Sequence, residues 1–427
     1  MHTRTLCILL VLQAVVSFRA VPRIMELFRD RGYVRLTWVP HFSSVINWTL
    51  RLGLSALRQI KPVDSPWLAI MDHSIERGVN KVLVVLRVPL EALAERGSAI
   101  RLADCECIGL AISERSDGET VASALQAIFT RAGSPVAIVK DNGGDLDKGV
   151  RLWQARAGQR GVWLIEDIGH VMANALKGQY EKQAQFVRFV KLIHQGAARL
   201  RQTNLAFLLP PKLRTKGRFQ SISRLGVWAE NMLQVLGGRG RAEERSALAK
   251  LRTAMAGFAA LRPFIERFAR SVQGVAQVLE VLKNNGLNQQ TYRQCCQLAE
   301  QLPARSNVKK RLLVWLKRHL YLQCRLGIGQ IPLLVSSDII ESLFGSFKYI
   351  IARAPQAEIN RTALVIPALC GPLDQLTIAQ ALAHTTHRDL QHWEQQQVPV
   401  TLRQQRRAFL PTDGDQKPGI QIPLKVP

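Results

Sequence analysis

The stretch VAIVKDNGGD, residues 136–145, decides how this chain is read. Four apolar residues run into Lys140 and Asp141, then Asn142, Gly143 and Gly144 turn the backbone before a second acid, Asp145. A short apolar run bounded by turn residues predicts a buried strand. The acid at its end stands out in a chain of 427 residues with 58 Lys and Arg against 32 Asp and Glu, a formal charge of +26. That excess predicts a polyanionic partner. With 47% hydrophobic residues the chain can bury a sizeable core and is no disordered basic tail, and its length predicts two or three domains.

Upstream of this strand, WLAIMD (67–72), KVLVVLRVPL (81–90) and CIGLAIS (107–113) read as three successive strands. SDGET opens a helix to about Arg131, with Val121, Leu125, Ile128 and Phe129 on one face, and Gly133-Ser134-Pro135 ends it. Downstream, DKGVRLWQAR (147–156) reads as a helix and GVWLIED (161–167) as a fifth strand. Three strands, helix, strand, helix, strand is the order of a ribonuclease H-like mixed sheet, a meander followed by right-handed crossovers. Beyond it the strand signal disappears. Amphipathic helical patterns at 171–200, 247–286 and 307–327, punctuated by the basic linkers PPKLRTKGR and GGRGRAEER, predict a large all-α insertion without internal repeats. DIIESLFGSFKYIIARA (338–354) reads as a last core helix.

The expected fold class is therefore α/β, with a helical insertion between strand five and the last core helix, preceded by an N-terminal helical domain. The expected segments are 1–62 helical, 63–170 the first part of the core, 171–330 the insertion, 331–355 the last core helix and 356–427 a tail. In the first segment one helix is predicted over roughly Ile8–Phe28 and a second from Ser43-Ser44, with Val45, Trp48 and Leu52 at helical spacing and Arg51 and Arg58 along it. This pair is compatible with a helix-turn-helix DNA reader and equally with a small packing domain.

The opening MHTRTLCILLVLQAVVSFRA mimics an export signal. Its apolar run continues into RAVPRIMELF with helical spacing and without a convincing cleavage site, which predicts a helix of the folded chain, with export as the alternative. No later stretch is long and apolar enough to span a membrane. Seven cysteines, an odd number without any CxxC pair, predict a reducing compartment and argue against a zinc finger or disulfide framework. The sequence has no GxxxxGK[ST] loop, so ATP use is not expected.

Three acids fall at matching points of the expected fold. Asp72 ends the first strand, Asp141 ends the fourth, and Glu341 lies in the first turn of the last helix. The first and fourth strands are expected side by side, which brings two carboxylates to one site that Glu341 would complete. Hard oxygen ligands of this kind hold divalent cations for phosphodiester chemistry. An acid after a strand is, taken singly, most often a turn or cap residue.

At these residues the sequence resembles the DDE transposases. VKDNGGD is similar to their second-aspartate motif, and MDHSIERG followed by KVLVVLRV to their first-aspartate hairpin. DIIESLFGSFK resembles their last helix, in which a basic residue, here Lys348, follows the glutamate by two turns on the same face. Asp167-Ile168-Gly169-His170 is similar to the C/D-x-x-H motif of hAT-like superfamilies with helical insertions, and 200 residues separate Asp141 from Glu341 (341 minus 141). The resemblance covers roughly 67–354, is specific in element order and loose in sequence, and lacks the hAT N-terminal zinc finger; a bacterial insertion-sequence type fits more closely.

The resemblance implies that Asp72, Asp141 and Glu341 are catalytic and hold Mg2+ or Mn2+, with Asp167, His170 and Lys348 as secondary site residues. It implies cleavage and strand transfer on double-stranded DNA, both transposon ends and target, by a homo-oligomer located in the cytoplasm with the nucleoid. Lys212, Arg214, Lys216 and Arg218 on a linker, and Lys310 and Arg311 on a helix, are expected phosphate contacts or a solvated face. Trp228 is expected either to stack on a displaced base, as in related enzymes, or to lie in the core. His170 has the alternative of a helix-start histidine bonded to backbone. Two other functions stay open: a ribonuclease H-like nuclease that cleaves without joining, and a transposase-derived DNA-binding protein that no longer catalyses.

Overall fold

The structure, a computed structural model, describes residues 2–75, 81–114, 116–159, 161–213, 219, 222–237, 246–351, 360–398, 400 and 402–409. In chain order the helices and strands begin with α1 (His2–Leu12), α2 (Ala20–Asp30), α3 (Phe42–Arg58), β1 (Trp67–Ile75), β2 (Lys81–Pro89), α4 (Leu90–Arg96) and β3 (Glu106–Ser113). Next come α5 (Gly118–Ala132), β4 (Ala137–Lys140), α6 (Gly144–Arg156), β5 (Trp163–Glu166), α7 (Ile168–Tyr180), α8 (Ala184–Leu200), α9 (Ser223–Leu236) and α10 (Ala247–Ala254). The rest are α11 (Arg262–Asn285), α12 (Gln289–Glu300), α13 (Asn307–Arg325), α14 (Asp338–Ile351), α15 (Val365–Ala368), α16 (Gln375–His384), α17 (His387–Gln397) and α18 (Leu402–Phe409). Packing divides the chain into two compact units, one of Met1–Ala92, Ile100–Leu164 and Ser337–Pro427, the other of Leu93–Ala99 and Ile165–Ser336.

The first unit is built on a five-stranded sheet of order β3-β2-β1-β4-β5. β1 pairs antiparallel with β2 and parallel with β4, and β2 pairs antiparallel with β3. A meander followed by a crossover onto the far side of β1 is the ribonuclease H-like order, so the fold class expected from the sequence is the one observed. Alternation along β1 puts Trp67, Ala69 and Met71 on one face, where they join Leu83, Val85, Ile138, Val121, Leu125, Val150 and Trp153 in one buried cluster. The ring of Phe129 lies 4.6 Å from that of Trp153 and 6.2 Å from that of Trp67. Each such full burial contributes about 1.5–3 kcal/mol. Asp117 caps α5 by accepting the Thr120 N–H at 2.8 Å, and Gly133, at φ 83°, ends it in the left-handed region that glycine enters at little cost.

The other face of β1 packs against α14, whose Ile340, Leu343, Phe344 and Phe347 are buried. In the same unit α3 packs against β3, α15 and α16 and is buried along most of its length. Arg51 of α3 donates to the Leu382 and Thr385 carbonyls at the end of α16, and Arg58 pairs with Asp389 of α17 at 2.8 Å. The two arginines that made a DNA reader conceivable are thus committed to the packing of α3.

The N-terminus differs from expectation. In place of one helix over Ile8–Phe28 there are two, separated at 13–19, where Val15 takes φ 52°, an uncommon conformation for a β-branched residue. The α3 cap is the His41 side chain, which accepts the Ser43 N–H at 3.4 Å, rather than a serine. α6 begins at Gly144, three residues ahead of Asp147, because Asp145 and Asp147 both fit a helix's first turn.

Among its described residues the second unit is helical apart from the end of β5 and an isolated bridge between Leu287 and Leu333. α11 runs through it with Phe264, Ile265, Phe268, Val272, Val275, Val278 and Leu282 buried. Phe186, Phe189 and Tyr180 lie against its Phe264 and Phe268 at ring separations of 5.2–6.5 Å, and Phe258 meets Phe189 at 5.8 Å. The single pattern at 247–286 divides into α10 and α11 around Gly257, at φ 81°.

Candidate active site

Met71 pairs with Lys140 across the parallel β1–β4 ladder. The next residue on each strand is an acid, so Asp72 and Asp141 stand at the same level on neighbouring strands, whose axes lie about 4.8 Å apart. Both are partly buried. Asp72 Oδ1 accepts the His73 N–H at 2.7 Å, and Asp141 Oδ1 accepts the Gly143 N–H at 3.0 Å. A Cβ at position 143 would sit 3.0 Å from Asp141 Oδ1 and 3.3 Å from Asp145 Oδ1, which explains the glycine there.

The stretch that follows carries two more acids, and the structure separates their roles. Asp147 Oδ1 accepts from Lys140 Nζ at 2.9 Å, and its Oδ2 accepts from Arg151 Nε at 2.7 Å. Lys140 is buried, and its ammonium also reaches the Asp141 carbonyl at 3.3 Å. Asp145 Oδ2 accepts from Ser116 Oγ at 2.8 Å and from Lys81 Nζ at 3.3 Å. Burial raises the Asp145 pKa, but Ser116, His73 and Lys81 outweigh it and hold the carboxyl below its ordinary value. Both acids are engaged by cationic groups.

Glu341 lies in the first turn of α14, the helix packed on β1, and is exposed. Lys348 follows two turns on, also exposed and on the same face. Among the described residues, no three or more His, Cys, Asp or Glu side chains stand close enough together to hold a metal ion. The parallel register brings Asp72 and Asp141 to one level, and among the described residues Glu341 does not form a metal-holding group with them. Two level carboxylates fit one hard divalent cation whose other ligands are water.

Asp167 and His170 belong to the second unit. Asp167 is 3% exposed and caps α7, its Oδ1 accepting the His170 N–H at 2.8 Å and lying 3.2 Å from His170 Nδ1. Beside it Glu166 pairs with Arg318 at 3.1 Å, and the Glu166 N–H donates to His319 Nε2 at 3.2 Å. His319 is fully buried and stacked on Trp315, and burial lowers its pKa to about 4.

Trp228 is partly buried, donates its indole N–H to the Leu208 carbonyl at 2.9 Å and meets Phe258 edge-on at 5.8 Å. Lys212 is exposed, while Arg214, Lys216 and Arg218 lie outside the described residues. Lys310 and Arg311 are exposed on α13, on one face with Val314, Lys317, Arg318 and Tyr321. Such a basic face carrying an aromatic has the make-up of a nucleic-acid surface.

The contacts of Asp145 were not foreseen; their only trace in the sequence is a histidine beside Asp72. Among the described residues no helix is long and apolar enough to cross a membrane. No family model and no curated protein matches the chain. The solved structure of the Drosophila P element transposase strand transfer complex is similar over 86% of this chain and 99% of that one, at 12% identity and a TM-score of 0.38. A superposition that loose adds nothing to the strand order, on which the fold assignment rests.

Proposed function

We propose that this protein is a DNA transposase of the DDE kind, hydrolysing a phosphodiester at a transposon end and passing the freed 3′ hydroxyl to target DNA. The observation that carries this reading is the level pair of Asp72, inside β1, and Asp141, just past the end of β4, on adjacent parallel strands of a ribonuclease H-like sheet. A bound Mg2+ or Mn2+ would supply activation of the attacking oxygen and charge neutralisation at the phosphate. Asp72 and Asp141 would hold it, each with one oxygen already fixed by a backbone N–H. Glu341 would join them when DNA is bound, and Lys348, on the same face of α14, would contact the DNA backbone. Lys310 and Arg311 on α13 would bind phosphates, consistent with the charge of +26. Self-association, usual where two DNA ends are processed together, belongs to the same proposal.

A second reading, a transposase-derived DNA-binding protein without catalysis, is favoured by one observation: the three acids do not form a metal-holding group among the described residues. Nicking of supercoiled plasmid by wild type and Asp141→Ala, with Mg2+ or Mn2+, separates the two. Cation-dependent nicking lost in the variant supports the enzyme. Salt-sensitive DNA binding without nicking by either supports the binder.

A further inference from the structure

Four segments of the first unit meet at one carboxylate. Asp145 lies in the first turn of α6, and its Oδ1 accepts the Leu146 N–H at 3.1 Å. Its Oδ2 faces Ser116 Oγ (2.8 Å) from the approach to α5, Lys81 Nζ (3.3 Å) from the start of β2, and His73 Nδ1 (3.8 Å) from β1. Ser116 Oγ is also 3.2 Å from His73 Nε2, so serine, histidine and aspartate close a small ring of contacts. The His73 side chain is 9% exposed and that of Asp145 26%.

The placement of this ring gives it a consequence for the acid pair. His73 follows Asp72 directly, and Asp145 follows Asp141 after Asn142 and two glycines. Glycines restrain the backbone least, and Asp141 is held there by its own bond to the Gly143 N–H and by the Lys140 ammonium on its carbonyl. The contacts of Asp145 with His73 and Ser116 tie the far end of that turn to β1, the strand carrying Asp72. We propose that Asp145 is a positioning residue, fixing the spacing of Asp72 and Asp141 through Ser116 and His73 and thereby setting the affinity of that pair for a divalent cation. The inference rests on the cation-holding role proposed above for Asp72 and Asp141. It assigns Asp145 no place in the cation's coordination, since its Oδ2 is engaged by Lys81 and Ser116. Removing the Ser116 hydroxyl changes no charge, so any effect on cation affinity would come through geometry rather than through the local field.

The test is Mn2+ binding to the full chain, followed by the loss of the free-ion electron paramagnetic resonance signal, with the thermal midpoint of each variant recorded alongside. Asp141→Asn is expected to abolish binding. Asp145→Asn and Ser116→Ala are each expected to weaken it roughly tenfold, the usual scale for residues that orient metal ligands. Ser116→Thr, which keeps the hydroxyl, is expected to restore wild-type affinity. Wild-type affinity in both Asp145→Asn and Ser116→Ala, with binding abolished in Asp141→Asn, would overturn the inference while leaving the cation site standing. A lowered midpoint with unchanged affinity in Ser116→Ala would overturn it too, by showing a structural role alone. Absence of Mn2+ binding in the wild type would overturn the cation role of the pair and this inference with it.

Discussion

Asp72 and Asp141 each come directly after one member of the Met71–Lys140 pair, so parallel register alone brings the two carboxylates to one level. Replacing either by Asn keeps shape and removes charge. Asp72→Asn and Asp141→Asn are each expected to reduce cation-dependent plasmid nicking by more than about 100-fold, the loss of one group on which the transition state depends. DNA binding in a gel-shift titration is expected to stay within about threefold of wild type. Nicking by Asp72→Asn at the wild-type rate would remove Asp72 from the site.

Lys310 and Arg311 share the exposed face of α13 with Lys317 and Arg318. If both contact phosphates, the double change to Ala lowers the magnitude of the slope of log affinity against log salt by about 1.8, or about 0.9 per lost contact. Fluorescence anisotropy with a labelled duplex across a salt series reads that slope. An unchanged slope would make this face a solvated surface.

His319 gives the second unit an acid-sensitive point. Its Nδ1 is 2.9 Å from the Trp315 carbonyl and its Nε2 accepts the Glu166 N–H, so the folded state needs Nε2 unprotonated. Burial lowers its pKa to about 4 from 6.5. The unfolded chain therefore binds the proton first as pH falls. The stabilisation is fully present above pH 6.5 and is lost progressively down to about pH 4, a change of about 3 kcal/mol. Urea titrations of wild type and His319→Gln between pH 7 and 4 are expected to show a shallower acid loss in the variant. Parallel curves would contradict this assignment.

Gly53 lies where α3 meets Leu364 and α15, and a Cβ there would run into the Leu364 carbonyl oxygen. Because backbone rather than a movable side chain fills that space, Gly53→Ala is expected to destabilise the first unit by about 3 kcal/mol, at the upper end for overpacking and despite the better helix propensity of alanine. Thermal unfolding measures it. A midpoint equal to or above that of the wild type would mean that α3 can shift.

The sheet was legible in the sequence because each strand carries a short apolar run, and Asp141 follows the end of its strand as expected. Asp72, expected to end the first strand, lies inside β1, because His73, Ser74 and Ile75 go on pairing with β2 and local polarity could not show that. The contacts of Asp145 were not, since Ser116 and Lys81 lie 29 and 64 residues from it and nothing local marks them. Arg51 and Arg58 read as one basic helix face, but the carbonyls that Arg51 meets lie more than 330 residues away in α16 and just beyond it. The break near Val15 falls where the sequence offers neither glycine nor proline, so local propensity predicted a helix straight through. Glu341 was expected from its place in the last helix, but local sequence could not say whether its side chain would join the strand acids.

The first unit is also discontinuous in the chain, and this sets the timing of its assembly. β1 and β4 leave the ribosome well before α14, with 200 residues between Asp141 and Glu341. At about 5–20 residues per second that gap lasts roughly 10–40 s. For that interval the nascent sheet holds its two strand acids but lacks the helix that covers the other face of β1. A half-made protein in this state has an apolar sheet face for a chaperone to shield.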